Sequence, residues 1–514
     1  MLLLLCILSV ALGLQPDQGR NVLVIVADDG GFESSFYGND KCKTPHLDEL
    51  AGRSLIFHNA YTSVSSCSPS RSAILTGLPQ HENGMYGLQH SYHHFHSFDK
   101  VQSLPLILNN TLDPSSGKPF MTGIIGKKHV APDYVYPFQY SYTEEHFPIN
   151  QVGRNITLMK ILAFNFLAQA KLSNSNFFLY IGFHDPHRCG STNPEFGQFC
   201  EKFGDGKSGQ GLIPDWSPVE YSPDDVLVPY FVQDTPAARS DLAAQYKTIS
   251  RLDQGVGLFL KGLKDFGFDK NTLVIYTSDN GIPFPNGRTN LYDSGMGEPM
   301  LVSSPFSTKR SGQSSEAMVS LTDIVPTVLD WFSIPFPNYT LFGPNPVTLQ
   351  GKSLLPLLES EPDHGWESVY ASHNLHEVTM YYPMRVVRTQ QYKLIHNLNY
   401  KMPFMIDQDF YVSPTFQDLL NRTANNLPTK WFKTLQEYYY RAEWELYDVN
   451  ADLTELINLA GEEKYREVLE ALKKKLNDWQ RATNDPWVCA PWGVLESKGN
   501  FPSSGECLPL HNEL

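Results

Sequence analysis

A chain of 514 residues is too long for one ordinary hydrophobic core, so roughly two or more domains are expected, and 41% apolar against 18% charged residues excludes a disordered or fibrous protein. A formal net charge of −15 excludes nucleic acid and anionic membrane surfaces as general partners, but not an anionic substrate gripped by a local cluster of cations and metal.

Residues 1–14 form an almost unbroken apolar run, shorter than the ~20 residues that span a bilayer, with Ala11-Leu12-Gly13 as a small-x-small cleavage pattern. This is the pattern of a secretory signal peptide. No later segment is long and apolar enough to cross a bilayer. Four Asn-x-Ser/Thr sequons, at Asn109, Asn155, Asn338 and Asn421, fit passage through the secretory route. With Cys6 removed, the close pairs Cys189/Cys200 and Cys489/Cys507 suit local disulfides in an oxidising compartment, although spacing does not fix connectivity. Cys42 and Cys67 are left over.

Asn21-Val-Leu-Val-Ile-Val26 is a continuous β-branched run, the pattern of a strand buried on both faces. Runs of the same character cover residues 120–125, 177–183 and 272–277, and helical patterns fall at 46–54, 70–76, 154–169 and 237–266. The alternation predicts an α/β fold, a large, mostly parallel or mixed sheet with helices on both faces, in which ligands bind beyond the carboxyl ends of the strands. From about Trp366 the texture changes to short alternating segments at 368–372, 384–388, 392–397 and 443–449, then a charged helical stretch at 462–483. These predict a smaller C-terminal α+β domain with an antiparallel sheet, so the expected division is residues 20–365 and 366–514. Lys473-Lys474-Lys475 is expected on a solvated helix face.

Three strand ends carry chemistry: Asp28-Asp29, His184-Asp185-Pro186-His187, and Ser278-Asp279-Asn280-Gly281. Vicinal carboxylates at one end and Asp-Asn at another offer hard oxygen ligands suited to Ca²⁺ or Mg²⁺. Any one of them alone is ordinary turn or cap chemistry. Cys67, alone, reads as an inert buried thiol, but it sits with Pro69, Ser70 and Arg71 where a loop enters a helix, a place that favours an anion. The histidines at 81, 90, 93, 94 and 96 lack zinc spacing and are expected to line a cleft or satisfy loops.

Cys67-Ser-Pro-Ser-Arg71 with Leu75-Thr-Gly77 resembles the sulfatase signature, and Gly126-Lys127-Lys128-His129 is similar to the family's second motif, with Lys128 where tryptophan is usual. The chain resembles most the branch that acts on N-linked sulfate, through stretches such as Phe183–Cys189, Asp279–Pro285, Ile406–Phe416 and Asp485–Pro491. The resemblance implies an alkaline-phosphatase-like sulfatase fold and conversion of Cys67 to Cα-formylglycine by the formylglycine-generating enzyme. One oxygen of the hydrated aldehyde attacks sulfur, and loss of a proton from the other then expels sulfate. It also implies Asp28, Asp29, Asp279 and Asn280 as ligands of one Ca²⁺, with the Cys67-derived group completing the shell. Arg71 then steadies the diol, Lys127 and Arg288 hold sulfate oxygens, His129 moves the diol proton and His187 protonates the leaving nitrogen, an acidic medium keeping the imidazoles charged. Arg288 stands where the family usually has lysine. The implied substrate is N-sulfoglucosamine at the non-reducing end of heparan sulfate oligosaccharides, the implied setting the lysosomal lumen, and the implied assembly a homodimer. An O-sulfate or phosphate ester hydrolase on the same scaffold, or a silent glycan-binding protein, are the competing readings.

Overall fold

The structure is a computed structural model that describes residues 19–190, 196–341 and 345–491. The proposed signal peptide and Cys507 therefore lie outside the described residues. Fourteen strands are described: β1 (Asn21–Asp28), β2 (Leu55–Phe57), β3 (Ala60–Tyr61), β4 (Met121–Gly126), β5 (Tyr140–Thr143), β6 (Phe177–Pro186), β7 (Thr272–Ser278), β8 (Met300–Ser303), β9 (Gln313–Ser315), β10 (Val319–Ser320), β11 (Ser368–His373), β12 (Met384–Thr389), β13 (Tyr392–Asn397) and β14 (Trp444–Asp448).

Eight of them form one sheet in the order β5-β4-β6-β1-β7-β8-β2-β9. From β5 to β7 every pairing is parallel, while β8 runs antiparallel to both β7 and β2. The sheet, expected as mostly parallel or mixed, is thus parallel through its centre and mixed at one edge. That edge is built from strands of three or four residues, too short to show a hydrophobic period.

β1 lies at the centre, and its continuous apolar run follows from that place. Val22, Val24 and Val26 enter one core with Ile74, Leu75 and Val328; Leu23, Ile25 and Ala27 enter the other with Met159, Phe166 and Phe259. Each fully buried Val, Leu or Ile contributes about 1.5–3 kcal/mol, enough to hold the strand and its end rigidly. The helix Cys67–Thr76 is wholly buried and stops at Gly77, whose φ of 71° is left-handed. A Cβ there would meet Leu349 Cδ2 at 2.6 Å. The helix Pro236–Phe266 is delimited by Thr235, whose hydroxyl accepts from Ala238 N–H, by Pro236 in its first turn, and by Gly267.

β11 to β14 form the four-stranded antiparallel sheet. Val387, Leu394 and Leu446 on one face pack against Leu469, Leu472, Leu476 and Trp479 of the helix Arg466–Ala482, while Val386 and Ile395 pack with Tyr61, Leu291 and Tyr292 from the earlier part of the chain. The small sheet is therefore clamped between its own helix and the main body. No described helix is long and apolar enough to cross a membrane. Cys189 and Cys200 are disulfide-bonded, and Cys42 is a buried free thiol. Cys489 is also disulfide-bonded. Of the four sequon asparagines, Asn338 and Asn421 are exposed and Asn109 and Asn155 half-buried.

Glu82 illustrates how burial makes this fold depend on pH. Its Oε2 has no hydrogen-bond partner, and burial pushes its carboxyl up to about 8. A folded pKa above the unfolded value of about 4.3 gives stability that is present below that value and is lost as pH rises through the folded pKa. Glu82→Gln removes this dependence. The melting temperature of the variant relative to the native chain should therefore rise between about pH 5 and pH 8, by up to ~1.4 kcal/mol of stability per pH unit. A difference that stays constant with pH contradicts the burial argument.

Candidate active site

Parallel register brings the three strand-end motifs together. β1 is flanked by β6 and β7, with Asp28 opposite Pro186 and Ala27 opposite Ser278. The acids of β1, the histidines that end β6 and the Asp279-Asn280 pair after β7 thus face one point, which the first residue of the Cys67–Thr76 helix also reaches. Ligand atoms of Asp28, Asp29, Cys67 and His187 all lie within 4.8 Å of one another.

Buried charges surround that point. Lys127 Nζ donates to both oxygens of Asp28 at 2.8 and 2.7 Å, and Arg71 Nη2 lies 3.4 Å from Asp28 Oδ1. Burial alone would raise the Asp28 carboxyl, but Lys127 above all holds it well below the usual range. Arg71 Nε donates to Asp279 Oδ2 at 2.8 Å, and its Nη1 donates to the Lys127 carbonyl at 3.2 Å. Asn280 Nδ2 donates to Asp29 Oδ1 at 2.7 Å. Asp29 and His129 hold φ of 58° and 55°, left-handed conformations that cost a non-glycine residue of order 1–3 kcal/mol and persist only where the surroundings enforce them.

Arg288 is the hub of the opposite side. Its Nη1 donates to Asp29 Oδ2 at 2.5 Å and to His187 Nε2 at 3.0 Å; its Nε and Nη2 donate to Asp407 at 3.3 and 2.9 Å, and Nη2 also to Asp409. A guanidinium has five N–H donors, so these partners occupy all of them. His187 Nδ1 lies 2.6 Å from the Arg188 carbonyl, which only accepts, so Nδ1 carries the ring proton and Nε2 is the acceptor.

His129 Nε2 contacts His90 Nδ1, and its Nδ1 is buried without a partner. Burial, then the charge of Lys127, holds His129 well below the usual imidazole range, and burial lowers His90 to about 4. The expectation that an acidic medium charges the imidazoles does not hold for these two rings. Burial also pushes the Cys67 thiol far up, so the unmodified side chain is a poor nucleophile.

A cavity of about 310 Å³ opens above Cys67, lined also by His90, His129, His187, Arg288, Glu377 and Asp409. A larger cavity of about 520 Å³, with Tyr61, Tyr230 and Arg388 on its walls, includes neither Cys67 nor the paired acids, and the chemistry belongs to the smaller one. Asp407, Asp409, His376 and Glu377 were assigned no role from sequence. The signal available was Asp407-Gln-Asp409 within the Ile406–Phe416 stretch. His376 Nδ1 lies 2.8 Å from Ser66 Oγ, tying the C-terminal region to the residue before Cys67.

Three carboxylates and an amide are a hard donor set, and Asn280 Oδ1 is fully buried with no protein partner. Both features fit a hard divalent cation.

The profile of the sulfatase family matches residues 20–334. The chain belongs to the sulfatase family. A second profile, that of the C-terminal part of N-sulphoglucosamine sulphohydrolase, matches residues 287–410 of this sulfatase, from the Arg288 loop to Asp409. The sulfatase is 60% identical over 509 residues to human N-sulphoglucosamine sulphohydrolase, covering 99% of this chain and 98% of that protein. It is 27% identical to human arylsulfatase A over 68% of this chain and 70% of that one. Among solved structures, one described in complex with its substrate D-glucosamine-2-N,6-O-disulfate superposes with a TM-score of 0.63 at 20% identity, covering 91% of this chain and 99% of that one. The phosphonate monoester hydrolase of Agrobacterium radiobacter reaches 0.59 at 18% identity, over 90% and 96% of the two chains. These two likenesses carry the fold of the sulfatase and nothing more specific.

Proposed function

We propose that this sulfatase hydrolyses the N-linked sulfate of N-sulfoglucosamine at the non-reducing end of heparan sulfate chains. The observation that carries the reading is the 60% identity to human N-sulphoglucosamine sulphohydrolase across almost the whole of both chains. Residues 20–365 would supply the nucleophile and metal ligands, and residues 366–514 would close the cavity. The proposed setting is the lysosomal lumen, reached through the secretory pathway, with a homodimer as the assembly.

Cys67, after conversion to formylglycine, would supply an oxygen nucleophile for sulfur. Asp28, Asp29, Asp279 and Asn280, with the residue-67 group, would hold one Ca²⁺, which would polarise the reacting oxygens as a Lewis acid. Arg71, fixed through Asp279 and the Lys127 carbonyl, orients the first turn of the helix and steadies the side chain at 67. Lys127, paired with Asp28, and Arg288, paired with Asp29, Asp407 and Asp409, would turn N–H donors from these carboxylates toward the sulfate oxygens as those gain negative charge. His129, held neutral, accepts the proton that must leave residue 67. An amide anion is an impossible leaving group in water, so a general acid is required. His187 suits that task because its Nδ1 is already committed to the Arg188 carbonyl, so a second proton can sit only on Nε2, which would then exchange the Arg288 N–H it accepts in the resting site for the leaving nitrogen.

The deciding experiment measures sulfate release by the purified protein from N-sulfated glucosamine, from O-sulfated glucosamine and from a phosphate ester at acidic pH. Preference for the N-sulfate is expected. Turnover confined to the esters would replace this reading with an ester hydrolase, and heparin binding without turnover would replace it with a glycan-binding protein. The metal assignment predicts that Ca²⁺ added to chelator-treated protein raises its melting temperature, by about 2.7 kcal/mol of stability at a hundredfold excess over Kd. Asp29→Asn should lose that shift. If the native chain shows none, the metal assignment is wrong.

A further inference from the structure

The cavity above Cys67 has an unexplained wall. A site that binds a sulfated, negatively charged group gains nothing from a carboxylate facing it, yet Glu377 and Asp409 both line the cavity. Glu377 is accounted for, since its Oε1 accepts the Gln408 backbone N–H at 3.1 Å and holds the loop. Asp409 is not. One of its oxygens accepts from Arg288 Nη2, while Oδ2 lies 3.7 Å from His187 Nε2. A His187 ring nitrogen is in turn within 4.8 Å of Cys67 Sγ. The carboxylate therefore stands beside the atom expected to protonate the leaving group.

What a carboxylate needs at that place is a donor. In a sulfamate the atom leaving sulfur is a nitrogen bearing N–H; in a sulfate ester it is an oxygen with lone pairs alone. We infer that Asp409 reads the leaving atom: it accepts the N–H of the sulfamate, then holds the ammonium that forms, and so favours N-linked over O-linked sulfate. The inference rests on the sulfamidase reading above. In the reaction the S–N bond breaks with its electron pair on nitrogen, the S–O bond forms to the nucleophile, and the proton added to nitrogen comes from His187 Nε2. Water supplies the further proton of the ammonium. Asp409 forms no covalent bond and transfers no proton; it is a specificity residue. A bare ester oxygen placed there would set lone pairs against a half-buried carboxylate, which is how sites reject close analogues lacking a donor.

The test compares Asp409→Asn with the native chain on N-sulfoglucosamine and on 4-nitrophenyl sulfate. The ratio of kcat/KM for the N-sulfate over the ester should fall by about tenfold or more, and Asp409→Glu, which keeps the charge, should restore most of it. An unchanged ratio in Asp409→Asn overturns the inference, whatever happens to absolute rates. If Asp409→Asn does not fold, product inhibition of the native chain decides. Glucosamine should inhibit at least about tenfold more strongly than glucose, and equal inhibition overturns the inference. Native protein that leaves N-sulfoglucosamine intact overturns the sulfamidase reading and this inference with it; native protein that cleaves it while the ratio holds overturns this inference alone.

Discussion

Cys67→Ser is expected to abolish sulfate release, by at least ~10⁴-fold in kcat, with the fold intact. The side chain is 1% exposed at the first residue of a fully buried helix, and serine differs from cysteine there by one atom, so packing barely changes. What changes is the chemistry. A serine hydroxyl can attack sulfur once, but it lacks the second hydroxyl whose deprotonation expels sulfate from a hydrated aldehyde. Serine is therefore expected to leave the variant trapped as a stable sulfate ester after a single turnover, visible as added mass on the peptide containing residue 67. The same peptide from the active native protein should carry an aldehyde in place of the thiol. Active protein in which residue 67 is entirely unmodified cysteine would sink the formylglycine mechanism, since the thiol itself is held protonated by burial.

The second large effect concerns stability. Arg385 and Asp485 are both fully buried and meet through two bonds, Nε to Oδ2 at 2.6 Å and Nη2 to Oδ1 at 2.8 Å. Asp485 also accepts from Gln480 Nε2 and from the Trp487 backbone N–H, so it ties β12 to the end of the C-terminal helix. Asp485→Ala leaves a buried guanidinium without its partner and should cost about 3–5 kcal/mol, read from the urea midpoint followed by tryptophan fluorescence. Lys474→Ala, which breaks an exposed pair with Asp478, should change stability by less than ~1 kcal/mol. A loss below ~1 kcal/mol in Asp485→Ala would show that water or a rearranged partner rescues Arg385. Arg385 overcomes the effect of burial and holds the Asp485 carboxyl below the usual carboxylate range. Stability from such a group is full above the unfolded pKa near 3.9 and is lost only as pH falls through the lower folded value. The tie therefore survives in mildly acidic medium, at any pH above about 4.

The central sheet was legible because buried parallel strands have no solvent face. Val22 to Val26 had to be apolar on both sides, and the same texture marked β4, β6 and β7. The meeting of Asp28, His187 and Asp279 followed from architecture, since parallel strands in one sheet end on one side. The short strands β2, β8 and β9 were illegible because three or four residues carry no period, and the reversal of β8 between β7 and β2 is set only by tertiary pairing. Asp407 and Asp409 were illegible for another reason. They stand 119 and 121 residues beyond Arg288 in the chain, and no local pattern announces that a helix-capping acid will neutralise a distant guanidinium. Helix-capping is what Asp407 does locally, accepting from the Phe410 N–H at 2.9 Å.

The helix that begins at Cys67 is sealed along its whole length, and Ser66 before it is pinned by His376. On the proposed conversion of Cys67 to formylglycine, an oxidising enzyme would need access to the thiol, and the finished fold, which buries every residue of that helix, gives none. On that reading maturation would be a race at synthesis: chains that close their sheet first would be locked out, perfectly folded and inert. For this protein, folding faster is no advantage, and a population with one sharp melting transition can still divide into two with different fates.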